Sequence, residues 1–400
     1  MFNLHISEGT SNMHYKKLHY LFPHKVTLES CWCTWKHIAI LLGLQPGRVD
    51  HCPGGCCCFT GKYASLNRCP YCEKPRCKSD GAPAEHFWYL PVKGQLQVMM
   101  KDKCLTKQLN YWHTSQISSN DNTIWDIFDC SIYQELLGKQ VVVNGQTQGH
   151  KYFSDPCDIA LGISLNGMTY FNCHQYSVWL VILINYNLPP TVHTCCNHVI
   201  CYSIIPGSVK NLNSYLIPLH NELGELAKGV STLDLWAKEL FWQHVYLILG
   251  FGDYPGLLKL IQMKGYNGLH PCWFCEILGI PIEGGKTNYI LLYQPEGSID
   301  PANLPMCSHD KFIWQGTEVL EASTNAEAEC LAKDSGIKGV PLLWFLNTLN
   351  FPFSFPFEFM HLIFENLFPN LVRHYTGTFK NLDSGIEDYG LMKEAWAEIC

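Results

Sequence analysis

The sequence lacks any long apolar run. The longest uninterrupted one, Val178 to Ile184, falls far short of the ~20 residues needed to cross a bilayer. Positive charge is also scarce. With 28 Lys and Arg against 35 Asp and Glu, the net charge is −7, so bulk electrostatics do not advertise a nucleic-acid binder. Lys16, Lys17 and Lys25 form only a weak basic cluster, insufficient for a DNA groove. The first residues carry no basic stretch leading into an apolar one, so no secretory signal is read. Repeats and low-complexity tracts are missing as well. What is present is core-forming material: 47% hydrophobic residues, with 20 Tyr, 20 Phe and 12 Trp. That excludes a disordered chain. At 400 residues the chain suits two or three cores better than one.

The 21 cysteines and 18 histidines are both numerous. Without an export signal, reduced thiols, some on metal, are expected rather than disulfides. Cys52-Pro-Gly-Gly-Cys56-Cys57-Cys58 is followed by Cys69-Pro-Tyr-Cys72. Two close pairs turning back through Gly and Pro aim four thiolates inward, the donor set of a tetrahedral structural Zn²⁺ site. Cys52, Cys56, Cys69 and Cys72 are the expected ligands, with Cys57, Cys58 and Cys77 as substitutes. A second pair, Cys272-Trp-Phe-Cys275, follows His270-Pro271. It has two thiolates only, so it needs His270, Cys307 or His309 as partners, or it carries no metal. A redox role would want this motif at a helix start in a small βαβ domain, and nothing upstream fits that size.

Further along, Trp35–Gly43 reads as a helix stopped by Gly43 and Pro46. Tyr133–Gly138 is a short helical pattern leading to a strand at Val141–Val143 and a turn at Asn144-Gly145. From residue 155 the pattern becomes regular. Ile159–Leu165 reads as a buried strand closed by a tight turn at Asn166-Gly167. Trp179–Ile184 and Val199–Ile205 read as two more. Leu212, Tyr215, Leu216, Leu219, Leu223 and Leu226 then recur at three and four, an amphipathic helix ending near Gly229. Val245–Leu249 is a fourth strand, leading to Asp253-Tyr254-Pro255. The expectation is an α/β fold, a mixed sheet with flanking helices, on whose strand ends acidic residues converge. Near the end, Phe351–Pro356 reads as extended, and the aromatic stretch Phe351–Phe359 reads as core rather than as a base-stacking platform. A helix then starts near Phe357, with Glu358, His361 and Glu365 on one face and Pro369 bending or ending it. The sequence stops at Trp396–Cys400 in mid-pattern, as a truncated one would.

Several stretches together resemble the CACTA-type (En/Spm-like) DNA transposases in their basidiomycete form. These are Cys52-Pro53 to Cys69–Cys72, Lys151–Gly167, Asn187–Pro190, Ile205–Gly207, Phe251–Pro255, Lys264–Cys275, Thr324–Glu329 and Phe355–His361 with Glu365-Asn366. Their order and spacing carry the resemblance more than any one block. It implies a ribonuclease H-like core in which three acids hold two divalent cations, Mg²⁺ or Mn²⁺, about 4 Å apart to cleave and transfer DNA strands. It further implies element terminal repeats as the DNA partner, a homo-oligomer, no membrane, a fungal source and a nuclear location.

Carried over residue by residue, the second acid falls on Asp253 and the third on Glu358, where the family commonly has Asp. The first acid position holds Asn166, and an amide lacks the charge that holds a divalent cation. Asp158 lies a strand-length upstream, too far to replace it. Asn213 is another position where Asp would be expected. The resemblance thus implies a degenerate transposase with cleavage impaired. The alternative class is a zinc-containing DNA- or protein-binding relic without chemistry, and Asp253, read without the resemblance, is more simply a helix N-cap. The expected organisation is a helical segment at 1–50, a zinc knuckle at 51–80 and a helical or irregular connector at 81–150. The first part of the ribonuclease H-like core follows at 151–270, a Cys-x-x-Cys insertion at 271–345, and the C-terminal helical part of the core at 346–400.

Overall fold

The computed structural model describes residues 40, 43–109, 111–114, 124–169, 177–265, 268–281, 288–289, 293–294 and 297–375. Lys16, Lys17, Lys25, most of the Trp35–Gly43 segment and the chain end at Trp396–Cys400 lie outside them.

The strands of the main sheet are β1 (Gly47–His51), β2 (Glu85–Tyr89), β5 (Ile159–Thr169), β6 (Ser177–Asn185), β7 (Ile200–Pro206) and β10 (Val245–Gly252). Between them in the chain stand two hairpins. One is β3 (Gln140–Val143) with β4 (Gln146–Lys151), the other β8 (Val230–Asp234) with β9 (Glu239–Gln243). The main sheet has six strands in the order β1-β2-β7-β6-β5-β10. β5, β6 and β7 form an antiparallel meander, and β10 lies parallel to β5. A parallel partner needs a crossover, and it contains the helix Leu212–Lys228.

That helix follows from its sequence. Asn211 caps it by accepting from Ser214 N–H. Leu212, Tyr215, Leu216, Leu219, Leu223 and Leu226 are all buried against the sheet, as their spacing predicts. Pro218 sits inside it and has no N–H to offer the Ser214 carbonyl one turn back. Thr60 Oγ1, from the cysteine-rich loop, donates to that carbonyl instead, at 2.5 Å. The main core joins this helix to Leu161, Ile163 and Leu165 of β5, Val181 and Leu183 of β6, and Phe351 and Phe355 from the C-terminal part.

Several expectations need correcting. Asn166-Gly167 makes no turn: β5 runs on to Thr169, with Asn166 opposite Leu180 and Gly167 opposite Trp179. Gly167 serves close packing, since a Cβ there would sit 3.1 Å from the Trp179 ring. The tight turn lies instead at Asn144-Gly145, where both residues have positive φ (51° and 74°), as a two-residue hairpin loop requires. In the stretch Phe351–Phe359, Phe351 and Phe355 are core, whereas Phe357 and Phe359 are exposed.

The last helix begins at Phe359 rather than Phe357 and runs to Tyr375, widened to π geometry over Met360–Leu367. The wide turns come just before Pro369, whose missing N–H breaks the usual ladder, so the helix continues past the proline. No described helix is long and apolar enough to cross a membrane.

Candidate metal centre and acidic strand ends

The cysteine knuckle is built between β1 and β2, which pair with each other and reach the sheet through Tyr89 opposite Ser203. Cys52 follows β1 directly. The Sγ atoms of Cys52, Cys56, Cys69 and Cys72 all lie within 4.8 Å of one another, near the ~3.8 Å that sulfurs 2.3 Å from a tetrahedral zinc would show. Backbone N–H groups aim at the leading sulfur of each pair: Gly54 N donates to Cys52 Sγ (3.2 Å) and Tyr71 N to Cys69 Sγ (3.4 Å). Such bonds stabilise thiolates.

Hydrogen bonding by the Lys74 backbone draws the exposed Cys72 thiol down to about 7. Burial pushes the Cys52 and Cys56 thiols up, so these two ionise readily only with a cation to share the charge. Of the substitutes, Cys57 sits 4.0 Å from Cys69 with its thiol pushed up to about 12 by burial. Cys58 faces the main core and Cys77 is exposed. The donor set fits a metal such as zinc.

The knuckle is pinned to the fold by Tyr215 Oη donating to Gly55 O (3.0 Å), Ser214 Oγ accepting from Cys58 N–H (2.9 Å), and Lys210 and Asn211 N–H donating to Cys56 O. Asn211 Nδ2 also donates to the Tyr63 and Tyr71 hydroxyls.

The second pair lies in irregular chain. Cys272 Sγ accepts from Phe274 and Cys275 N–H (3.3 and 3.4 Å), the same local arrangement as in the first knuckle. His270, Cys272, Cys275 and Cys307 line one cavity of about 90 Å³. His309 is not among them. Its Nδ1 accepts from Phe351 N–H instead, because Ser308 starts the helix His309–Glu321 and turns the ring toward the core. Burial raises Cys272 to about 11 and Cys307 to about 12. Among the described residues the only set of three or more donors drawn within 4.8 Å is the first knuckle.

The acidic positions are assembled across the sheet. Leu165 lies opposite Gly252 in the parallel β5–β10 pair, so Asn166 and Asp253 follow each other at the same end of adjoining strands. Asp253 Oδ1 caps the helix Tyr254–Leu260 by accepting from Gly256 N–H (2.6 Å), and Oδ2 accepts from Gly167 N–H (3.2 Å). The capping role and the strand-end position therefore coexist.

Glu358 comes from 105 residues further along (358 − 253). The chain before it covers the edge of β10: Thr348 Oγ1 donates to Leu247 O, and Ser354 O accepts from Gly250 N–H (2.8 Å). Trp273 bridges to the Asp253 side. Its ring lies 5.4 Å from Tyr254 and 4.5 Å from Phe357, and its Nε1 donates to Phe355 O (2.8 Å). Glu358 is bonded to His361 Nδ1, and His361 Nε2 faces Glu365 at 3.7 Å. Among the described residues, no group of three or more metal-donor side chains drawn together includes Asp253 or Glu358.

Asp158 is fully buried at the opposite end of β5 and accepts from His244 Nδ1 (2.8 Å), which confirms its distance from the acidic end. Asn213 lies in the first turn of the crossover helix, with its Oδ1 buried and unpartnered among the described residues.

Sequence reasoning missed the charge around this end. Burial lowers the Lys259 and Lys338 ammonium pKa values, reinforced by Lys210 at Lys259 and by Lys259 and Lys264 at Lys338. Lys259, on the helix that Asp253 caps, places its Nζ 5.2 Å from the centre of the Trp179 ring opposite Gly167, and Lys264 is paired with Glu329 at 3.6 Å. No curated protein matches the chain. The model of the transposase family tnp2 matches residues 144–291, a segment holding Asn166, Asp253 and the Cys272–Cys275 pair but neither the first knuckle nor Glu358, and that match supports a transposase family for this protein.

Proposed function

We propose that this protein is a CACTA-type transposase relative that keeps a DNA-handling ribonuclease H-like core and a structural zinc knuckle but has lost efficient strand cleavage. The observation that carries the reading is the parallel register that seats Asn166 beside Asp253. A two-cation nuclease needs carboxylates close enough to share ions about 4 Å apart, and adjoining strand ends bring positions 166 and 253 side by side. The transposase-family match over the same strands and Lys259, on the helix that follows Asp253, support a DNA substrate.

A pair of divalent cations does not fit the residues present. Asn166 contributes a neutral amide, both Asp253 oxygens already accept backbone N–H groups, and Glu358 is engaged by His361. Hard cations require more anionic oxygen than this, so efficient two-cation cleavage is not expected of these residues. Zinc on Cys52, Cys56, Cys69 and Cys72 would be structural, all four positions being filled by protein. The test is incubation of purified protein with terminal-repeat DNA and Mn²⁺ or Mg²⁺. Efficient nicking by the natural chain would overturn the reading. Asn166→Asp is expected to create Mn²⁺ binding, read by calorimetry, that the natural chain lacks. Failure of that variant to bind would sink the assignment of position 166.

A further inference from the structure

One row of residues crosses the exposed face of the main sheet from the acidic end to its far edge. Asn166 on β5 stands opposite Leu180 on β6, and Leu180 opposite Ile204 on β7. Tyr89 of β2 pairs with Ser203, which puts Trp88 next to Ile204, and Trp88 pairs with Arg48 on β1. Directly paired residues share a face. Soluble sheets do not usually leave such a row open, yet Trp88 is 54% and Ile204 51% exposed.

Here the sheet splays. β2 and β7 are paired only at Tyr89 and Ser203, and a cavity of about 380 Å³ opens between them, lined by His86, Trp88, Cys201, Ser203, Ile204 and Pro206 among others. The Arg48 guanidinium lies 5.8 Å from the centre of the Trp88 ring, and the His86 ring meets it edge-on at 6.3 Å. The nearby acid, Asp50, is already paired with Arg76 at 2.8 Å, so it does not set a repulsive charge against an anion.

We infer that this cleft is a stacking pocket for one unstacked nucleobase of a DNA single strand whose backbone runs along the row toward Asn166 and Asp253. The inference rests on the DNA-handling function proposed above. An exposed indole offers its π-face to any base, but only to one freed from duplex stacking. Arg48 beside the ring supplies the cation for the adjoining phosphate. From β5 to β2 is three strand intervals, about 14 Å at ~4.8 Å each. At ~3.4 Å per stacked nucleotide, and more when extended, that is about two to four nucleotides. The pocket therefore holds a base a few positions away from the phosphate at the acidic end.

The test uses the full zinc-loaded chain and a fluorescent single-stranded oligonucleotide of the terminal repeat, with anisotropy read at about 50 mM salt. An abasic site is walked through the oligonucleotide one position at a time, which needs no variant. One position is expected to weaken binding roughly 5- to 100-fold, the range for loss of one aromatic stack. Trp88→Ala should cost the same on the intact strand and abolish the effect of the abasic site, while Trp88→Phe should restore most of the affinity. Zinc content and melting temperature check that both variants are folded. Tight binding with a flat abasic ladder, or an unchanged Kd for Trp88→Ala, overturns the pocket and leaves the DNA-handling function standing. The latter result is also what a protein-docking role for Trp88 would give. No binding of single-stranded or duplex DNA by the natural chain overturns both.

Discussion

The cysteine knuckle and the acidic strand ends are both candidate sites, yet they are built on opposite principles. The knuckle draws its four sulfurs from 21 residues (52 to 72), and its geometry is mostly local: tight turns, N–H groups pointing at sulfur, and prolines that stop each loop. The proposed acidic site would take position 166 from one strand, 253 from another and 358 from the chain that seals the edge of β10. Nothing local would hold it together. A donor set encoded by spacing resists drift in the rest of the chain, whereas a set encoded by tertiary packing can lose one member and leave the fold intact, which is the reading proposed for Asn166.

If that contrast holds, removing metal is the largest perturbation available. Structural zinc contributes on the order of 10 kcal/mol or more of binding free energy to its fold. A strong chelator, or Cys69→Ser, is therefore expected to release the zinc, unfold residues 52–77 and lower the melting temperature by roughly 10 °C or more. Calorimetry and metal analysis check this, and a protein that melts identically with and without chelator would erase the distinction between the two regions. Because Tyr215, Ser214 and Asn211 bond directly to the knuckle, the crossover helix should lose protection in hydrogen exchange at the same time.

Next in size is Leu165→Ala. Leu165 is fully buried beside both Asn166 and Gly252, and large-to-small changes of this kind cost about 2–5 kcal/mol. A denaturant midpoint should fall accordingly while zinc content stays unchanged. Loss of zinc in that variant would mean that the knuckle depends on the far end of the sheet.

The smallest expected effect sharpens the comparison most. Asp253→Ala removes the cap on Gly256 and the bond from Gly167, and should cost about 1 kcal/mol, the usual value of an N-cap. Asp253→Asn keeps an acceptor oxygen and should cost less. If Asn is as damaging as Ala to stability in metal-free buffer, the negative charge itself is structural, and the capping account of this residue is wrong.

Much of this was legible in the residues. The meander and its crossover helix follow from apolar runs bounded by turn residues and from a three-and-four spacing, and the hairpin at Asn144-Gly145 follows from a dipeptide that accepts positive φ. Reading Asn166-Gly167 by the same rule failed. There the glycine answers to the Trp179 ring rather than to a turn, and a dipeptide does not reveal which need it serves. β2 was hidden because its pairing to β7 is a single residue pair and its composition mixed. The cap of the helix Val92–Met99 was hidden because it comes from Glu222, whose carboxylate accepts from Val92 and Lys93 N–H 130 and 129 positions away. The missing hydrogen bond at Pro218 is likewise met by Thr60 from the knuckle.

The sequence by itself determined the things set by neighbours along the chain: which cysteines pair, where the buried strands and the long helix run, and that position 166 carries no charge. Only the tertiary structure decided which strand ends adjoin, which aromatic residue stays uncovered at the splayed edge, and which lysine lies over the Trp179 ring beside Gly167. The reason is physical. Short-range preferences act through fixed covalent spacing, whereas partners far apart in the chain meet only after loop closure and core burial have chosen one arrangement of the sheet.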